Sequence, residues 1–174
     1  MGEEKRNPAG RSGDFTHPAW REELKEKLEQ DENGLYVLKE EYRIHEDFVP
    51  DHQIPRFVIT GEISSIYKQG GRVRKVHSLI LLPDLEKAEI ISRKLEEIGN
   101  IHSDGRPILG ISCHDLLEMI LELCPEAVYV PAHIWTPHFS LFGAFSGFDT
   151  VEECFGDLTP HIHAVETGLP RILR

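Results

Sequence analysis

The sequence predicts an α/β domain. Amphipathic stretches with helical spacing alternate with short apolar runs of strand length, and several of those runs end in a histidine or a glutamate. Two periodicities alternating within 174 residues point to helices packed on a sheet around one core. Strand–helix repeats of this kind carry parallel character.

Residues 1–12, within MGEEKRNPAGRSG, are charged, contain Gly and Pro, and show no period. They read as a disordered lead-in without a strand, ahead of one domain over residues 13–174. Trp20, Leu24 and Leu28 then recur at four-residue spacing behind Pro18. Proline suits a first helical turn, where its missing N–H costs nothing, so a helix is expected from Pro18 to Gln30. Asp14 and His17 precede it in a loop, where capping is the ordinary use of an aspartate. Asp31–Gly34 is a turn, and a short strand is expected at Leu35–Leu38 in an otherwise polar stretch reaching Pro55.

Phe57–Thr60 reads as a strand that ends at Gly61 and Glu62. Ile63–Lys68 and Val73–Leu82 read as two further strands joined at Gln69-Gly70-Gly71. His77 lies inside the second with Leu79 and Leu81 on its face, a setting in which histidine is usually a hydrogen-bonded core residue. Arg72, Arg74 and Lys75 form the dense basic cluster of the chain, at the hairpin tip. Ala88, Ile91, Leu95 and Ile98 mark one face of a helix over Asp84–Ile98, closed by Gly99-Asn100. Ile101–Gly110 is a loop. Ser112 and Asp115 form a capping-box-like start to a helix over Cys113–Leu123, apolar on several faces and therefore buried.

The stretch AVYVPAHIWTPHFSLF, Ala127 to Phe142, organises the rest. Ala127–Ile134 alternates too little for a half-exposed strand and reads as buried on both faces, with Pro131 making its pairing irregular. His133 stands at its C-terminal end, where barrels of parallel strands place their chemistry. The aromatic loop that follows, WTPHFSLFGAFSGFD, has the length of a lid or binding surface. Thr150 and Glu153 cap a short helix to about Phe155, and HIHAVETGLP reads as a strand that exits at Glu166.

A formal net charge of −11 argues against a sequence-independent nucleic-acid clamp and leaves room for one local groove. No apolar run approaches a membrane span and no apolar leader follows the N-terminal charges, so a cytoplasmic protein without a membrane partner is expected. Cys113, Cys124 and Cys154 are odd in number and widely spaced, which suits buried free thiols rather than a disulfide framework or a zinc ribbon. Ten histidines in 174 residues hint at metal chemistry.

Asp14, His17, Glu62, His77, His133, His138 and Glu166 all fall at strand exits or in adjoining loops. Together they offer imidazole and carboxylate, the donor set for zinc, manganese or iron. Divalent ions so held would lower the pKa of a bridging water and clamp a phosphate oxygen for in-line hydrolysis. Strand parity places Ile162, Ala164 and Glu166 on one face, so the HxH-like pair His161 and His163 points away from any site that Glu166 faces. The sequence contains no GxGxxG after a strand, no Walker loop and no GxSxG elbow.

The segments GDFTHPAW, TGEISSIYK, GRVRKVHSLIL, SDGRPILG, PAHIWTP, SLFG, SGFD, ECFGDLTPHI and ETGL resemble, in that order, the endonuclease Q family of the polymerase and histidinol phosphatase (PHP) superfamily. The resemblance runs from about Gly13 to Leu169. It implies a distorted barrel of about seven β/α units with a trinuclear metal site. It also implies hydrolysis of a DNA phosphodiester on the 5′ side of a deaminated base or an abasic site. By the same resemblance Glu62, His77 and His133 look like metal ligands, with Glu62 and His133 the residues on which catalysis rests. His17 looks like a ligand of a third metal, with Asp14 beside it, and Arg74, Lys75 and Trp135 look like DNA contacts. Zinc is the expected ion, with manganese or magnesium as alternatives.

The sequence departs from the superfamily pattern in three places. The HxH motif of the first strand and the Asp-x-His motif after the ETGL segment are absent, and His138 stands where a bulky aromatic residue is expected. A partial (β/α)7 barrel lacking its first and last strand units is therefore expected, an internal piece of the catalytic domain. A non-catalytic, metal-binding remnant is the alternative function, and a small-molecule phosphoesterase a third.

Overall fold

The computed structural model describes residues 9–43, 54–103 and 105–168. The first eight residues of the lead-in and the tail after residue 168 lie outside the described residues. Among the described residues, seven strands and four α-helices follow in the order β1 (Ala9–Arg11), α1 (Pro18–Lys27), β2 (Leu28–Gln30), β3 (Tyr36–Leu38), β4 (Arg56–Gln69), β5 (Arg72–Leu82), α2 (Leu85–Glu96), β6 (Ile108–Leu109), α3 (Cys113–Leu123), β7 (Val128–Pro131) and α4 (Val151–Phe155). The result is a mixed α/β fold.

The sheet is built on β4 and β5, which pair antiparallel from Ile59↔Leu82 to Gln69↔Arg72. The turn between them follows from Gly70 and Gly71, whose φ values of 61° and 73° favour glycine. β7 adds antiparallel to β5 (Ser78↔Pro131), and the ribbon of β2 and β3 meets β4 at Tyr36↔Phe57. Parallel pairing is confined to the short β1 and β6, both against β4. The expected parallel character is thus corrected. A two-residue turn forces β5 to run back along β4, and the two helices between β5 and β7 return β7 antiparallel to β5.

Several elements appear where their local signals lie. Asp84, Ser112 and Thr150 cap α2, α3 and α4 by accepting from the amides of Lys87, Asp115 and Glu153. Cys113, Cys124 and Cys154 are free and buried. The core lies between the sheet and α2 and α3, where Ile59, Ile63, Val76 and Ile80 meet Ile91, Leu95, Leu116 and Ile120. None of the helices among the described residues is long and apolar enough to cross a membrane.

Other expectations are corrected by pairing across the fold. Helix α1 stops at Lys27 because Leu28–Gln30 is captured by β3 (Leu28↔Leu38). The lead-in does contain a strand, β1, held by β4 in the register Gly10↔Phe57. β4 is continuous through Gly61 and Glu62, so Glu62 sits within a strand rather than at an exit. β7 is an edge strand among the described residues, with Val128 exposed and Tyr129 buried, and an edge is where Pro131 is tolerated. Residues 162–168 form no regular strand. Only Glu166 is stitched to the β7 exit, its N–H donating to Pro131 O and its own carbonyl accepting from Ile134, each at 2.9 Å.

Candidate metal centre

Neighbouring strands bring three donors together. Glu62 lies on β4, in register with Leu79 of β5, and His77 lies two residues before Leu79. The two therefore form a diagonal cross-strand pair on the face opposite Ile63 and Val76. His133 follows β7 by two residues, and the His77 carbonyl accepts from the Ala132 amide at 2.9 Å. The ligand atoms of Glu62, His77 and His133 all lie within 4.8 Å of one another. His77 Nδ1 is 3.1 Å from Glu62 Oε1 and 3.0 Å from His133 Nε2.

His133 is held in an uncommon backbone conformation, with φ at 33°. The surrounding hydrogen bonds over-determine it. Glu166 Oε2 accepts from the His133 amide at 3.0 Å, and the His133 carbonyl accepts from the Thr136 amide at 3.0 Å. Glu166 Oε2 also faces His133 Nδ1 at 3.5 Å. A carboxylate on Nδ1 fixes the ring so that the Nε2 lone pair points at the cluster, the arrangement by which proteins orient metal-ligating imidazoles. Glu166 thus acquires a position and a task that its sequence setting did not disclose.

Arg106 was missed by sequence reasoning, which placed it in an uncommitted loop. β6 pairs with Ser64 and Ser65, and the Pro107 carbonyl accepts from the Ser64 amide at 2.9 Å. This delivers the Arg106 Nη1 group to 2.9 Å from Glu62 Oε1 and 2.8 Å from His77 Nδ1. Burial pushes the Glu62 carboxyl up, but His77, Arg106 and His133 together hold it below the usual carboxylate range.

The donor set fits a divalent cation. Glu62 Oε1 is buried and, although His77 and Arg106 stand within 3.1 Å, has no hydrogen bond of proper geometry. His77 Nδ1 cannot offer its single position to Glu62, His133 and Arg106 together. Two imidazoles and a carboxylate converging this way are a donor set that divalent ions accept.

The other candidates fall elsewhere. His17 occupies the N-cap position of α1 without capping it, and its Nε2 donates to the His102 carbonyl at 3.2 Å. Asp14, at φ 41°, accepts from the His17 amide through its carbonyl. Neither belongs to the three-residue group. Arg74, expected as a DNA contact, is 5% exposed, donates to the Gly147 carbonyl, pairs with Glu153 at 3.5 Å and lies over the Phe148 ring. Its strand parity sends it to the same face as Val76, into the core. Lys75 faces the other way, with its ammonium 5.3 Å from the Phe139 ring centre, and Phe139 in turn packs on His77. Trp135 is 65% exposed and touches Phe142. His138 stacks on Phe145, and His161 and His163 are exposed. A second cluster, His114, Asp115 and Glu118, stands at the start of α3, where His114 is already paired with Asp115 and Asp157.

No protein-family model matches the sequence, and no curated protein matches it. Two solved structures do: the lesion-specific endonuclease PfuEndoQ from Pyrococcus furiosus, and an endonuclease Q in complex with a 27-mer duplex carrying an abasic lesion at the active site. Each is 26% identical, with a TM-score of 0.69 over 92% of this chain and 34% of the other. The chain therefore spans about a third of the length of the solved structures it matches. The family resemblance carried by the sequence motifs recurs in three dimensions, and the chain is similar, along nearly all of its length, to part of an endonuclease Q.

Proposed function

We propose that this chain is the metal-binding part of a DNA-repair endonuclease of PHP type, which hydrolyses the phosphodiester on the 5′ side of a deaminated base or an abasic site. The convergence of Glu62 from β4, His77 from β5 and His133 from the turn after β7 carries the reading. The likeness to an endonuclease bound to lesion-containing duplex supports DNA as the partner. On this reading the sheet is part of a distorted (β/α)7 barrel, and Asp14 and His17 serve a neighbouring ion.

When bound, a divalent ion, zinc by its donor set or manganese or magnesium in its place, would lower the pKa of a water and draw charge from a phosphate oxygen. Glu62 supplies the negative charge of the seat, and His77 and His133 supply neutral nitrogens. Glu166 keeps His133 aimed. Lys75 and the exposed Trp135 lie on the rim, where a cation and an aromatic face suit a phosphate and an unstacked base.

The test combines elemental analysis of the purified chain with nicking of duplexes that carry a single abasic site, deoxyuridine or deoxyinosine. A stoichiometric ion and a nick on the 5′ side of the lesion are expected, and both should disappear in Glu62→Ala and His133→Ala. A bound ion without nicking would favour a second reading, a metal-binding module without hydrolysis. One observation speaks for that second reading: His17 is engaged with His102 rather than with the cluster. Absence of both ion and nick would overturn the metal centre itself.

A further inference from the structure

The cluster that offers a seat to a divalent cation already contains a cation of its own. Arg106 Nη1 approaches Glu62 Oε1 at 2.9 Å and donates to His77 Nδ1 at 2.8 Å, so two of the three metal-ligand atoms face the guanidinium. Its position is not that of a wandering surface side chain. The backbone on its C-terminal side is pinned to β4 through Pro107 and Ser64, one residue beyond Ile63 and two beyond Glu62. Its side chain is 42% exposed, against 26% for Glu62, so the guanidinium enters from the solvent side of the seat.

Resting on the metal-centre reading above, we propose that Arg106 is a tethered rival of the metal ion: the guanidinium and the ion share Glu62 and His77, and binding of the ion turns the Arg106 donors outward to an anionic phosphate group. The reasoning is electrostatic. Glu62 Oε1 is buried and cannot hold two cations at hydrogen-bond range without repulsion between them. His77 Nδ1 has a single lone pair, which is given either to an N–H of Arg106 or to an ion. Arg106 therefore stabilises the metal-free protein and weakens the first binding event. Once displaced, its planar fork of donors stands beside the ion, in the geometry that suits phosphate oxygens. Such a device keeps a partly buried acidic seat neutralised until the metal arrives, and leaves a phosphate-binding group in place afterwards.

The test is calorimetric titration of Mn2+ into the metal-free chain, comparing wild type with Arg106→Ala and Arg106→Gln, with His133→Ala as the control for the seat. Both Arg106 variants should bind Mn2+ more tightly, by roughly 3- to 10-fold, the scale of a partly exposed charge-assisted pair. Inorganic phosphate should bind the Mn2+-loaded variants more weakly than the loaded wild type. Far-ultraviolet circular dichroism checks that the variants are folded, and Arg106→Gln retains a polar side chain if Arg106→Ala is not. Mn2+ affinity unchanged or reduced in folded variants, with wild type binding and His133→Ala not binding, would overturn the rivalry alone and leave the metal centre standing. Unchanged phosphate binding would overturn the outward turn of the guanidinium. No Mn2+ binding by wild type or either variant would overturn the metal centre and the rivalry with it.

Discussion

Glu166 accepts from the His133 amide at 3.0 Å and faces the same residue's Nδ1 at 3.5 Å, so one carboxylate holds both the backbone and the ring of a candidate ligand. Replacing Glu166 by Gln removes the charge and keeps the shape. Metal affinity, read by titration, should fall by roughly 10-fold while the fold persists. Arg74 and Lys75 make the opposite lesson in adjacent positions. Alternation along β5 sends Arg74 inward to the Gly147 carbonyl and the Phe148 ring, and Lys75 outward to Phe139. Arg74→Ala strands the partly buried carbonyls of Gln69 and Gly147 and opens a void, so chemical denaturation should show a loss of about 2 kcal/mol. Lys75→Ala removes one half-exposed cation and should stay within about 1 kcal/mol.

At the scale of elements, β4 does most of the positioning. It pairs with β5 along its length, receives β1, β3 and β6, and carries Glu62 at its middle. Gly61 lets Phe15, fully buried, lie against it: a Cβ there would come 2.7 Å from Phe15 Cδ1. Gly61→Ala should therefore destabilise the chain by about 1–3 kcal/mol, measured by urea denaturation, and displace the segment that carries Asp14 and His17. The start of α3 is tied to the 3-10 turn at Gly156–His161 by a titratable clasp. Asp157, at 2.9 Å, raises the His114 imidazole above its ordinary value of 6.5, against partial burial and with help from Asp115. A histidine raised in the folded state contributes its stability fully below pH 6.5, and that contribution is lost as pH climbs through the raised value. The melting temperature should decline across that window, and His114→Asn should remove this part of the slope.

For the whole molecule, the three donors come from distant parts of the chain, so an ion bound by them ties β4, β5 and the β7 exit together. Such an ion binds the folded state only, and its free energy adds to folding stability. At a free concentration 100 times its dissociation constant the gain is about 2.7 kcal/mol. Thermal unfolding should therefore shift upward with added Zn2+ or Mn2+ in wild type, in a concentration-dependent way, and stay put in Glu62→Ala and His133→Ala. A shift retained by both variants would place the binding elsewhere, for example at the exposed His114 cluster.

The sequence by itself determined what local chemistry decides. The caps at Asp84, Ser112 and Thr150 each act on an amide three residues ahead, the Gly70-Gly71 turn needs only its own backbone, and α3 starts at the capping box of Ser112 and Asp115. Glu62, His77 and His133 were singled out by the family resemblance rather than by their strand settings, and the fold brings their ligand atoms within 4.8 Å of one another. The tertiary structure decided everything that depends on a partner far along the chain. β1 and β6 are too short to announce themselves and exist because β4 pairs with them. α1 yields its last turn to β3, and the antiparallel order of the sheet follows from how the helices return the chain. Arg106 joined the site, and Glu166 found His133, only through pairings that no periodicity encodes. Local hydrogen bonds are set by neighbours within one turn, whereas strand pairing and side-chain clusters are chosen by the burial of the whole core.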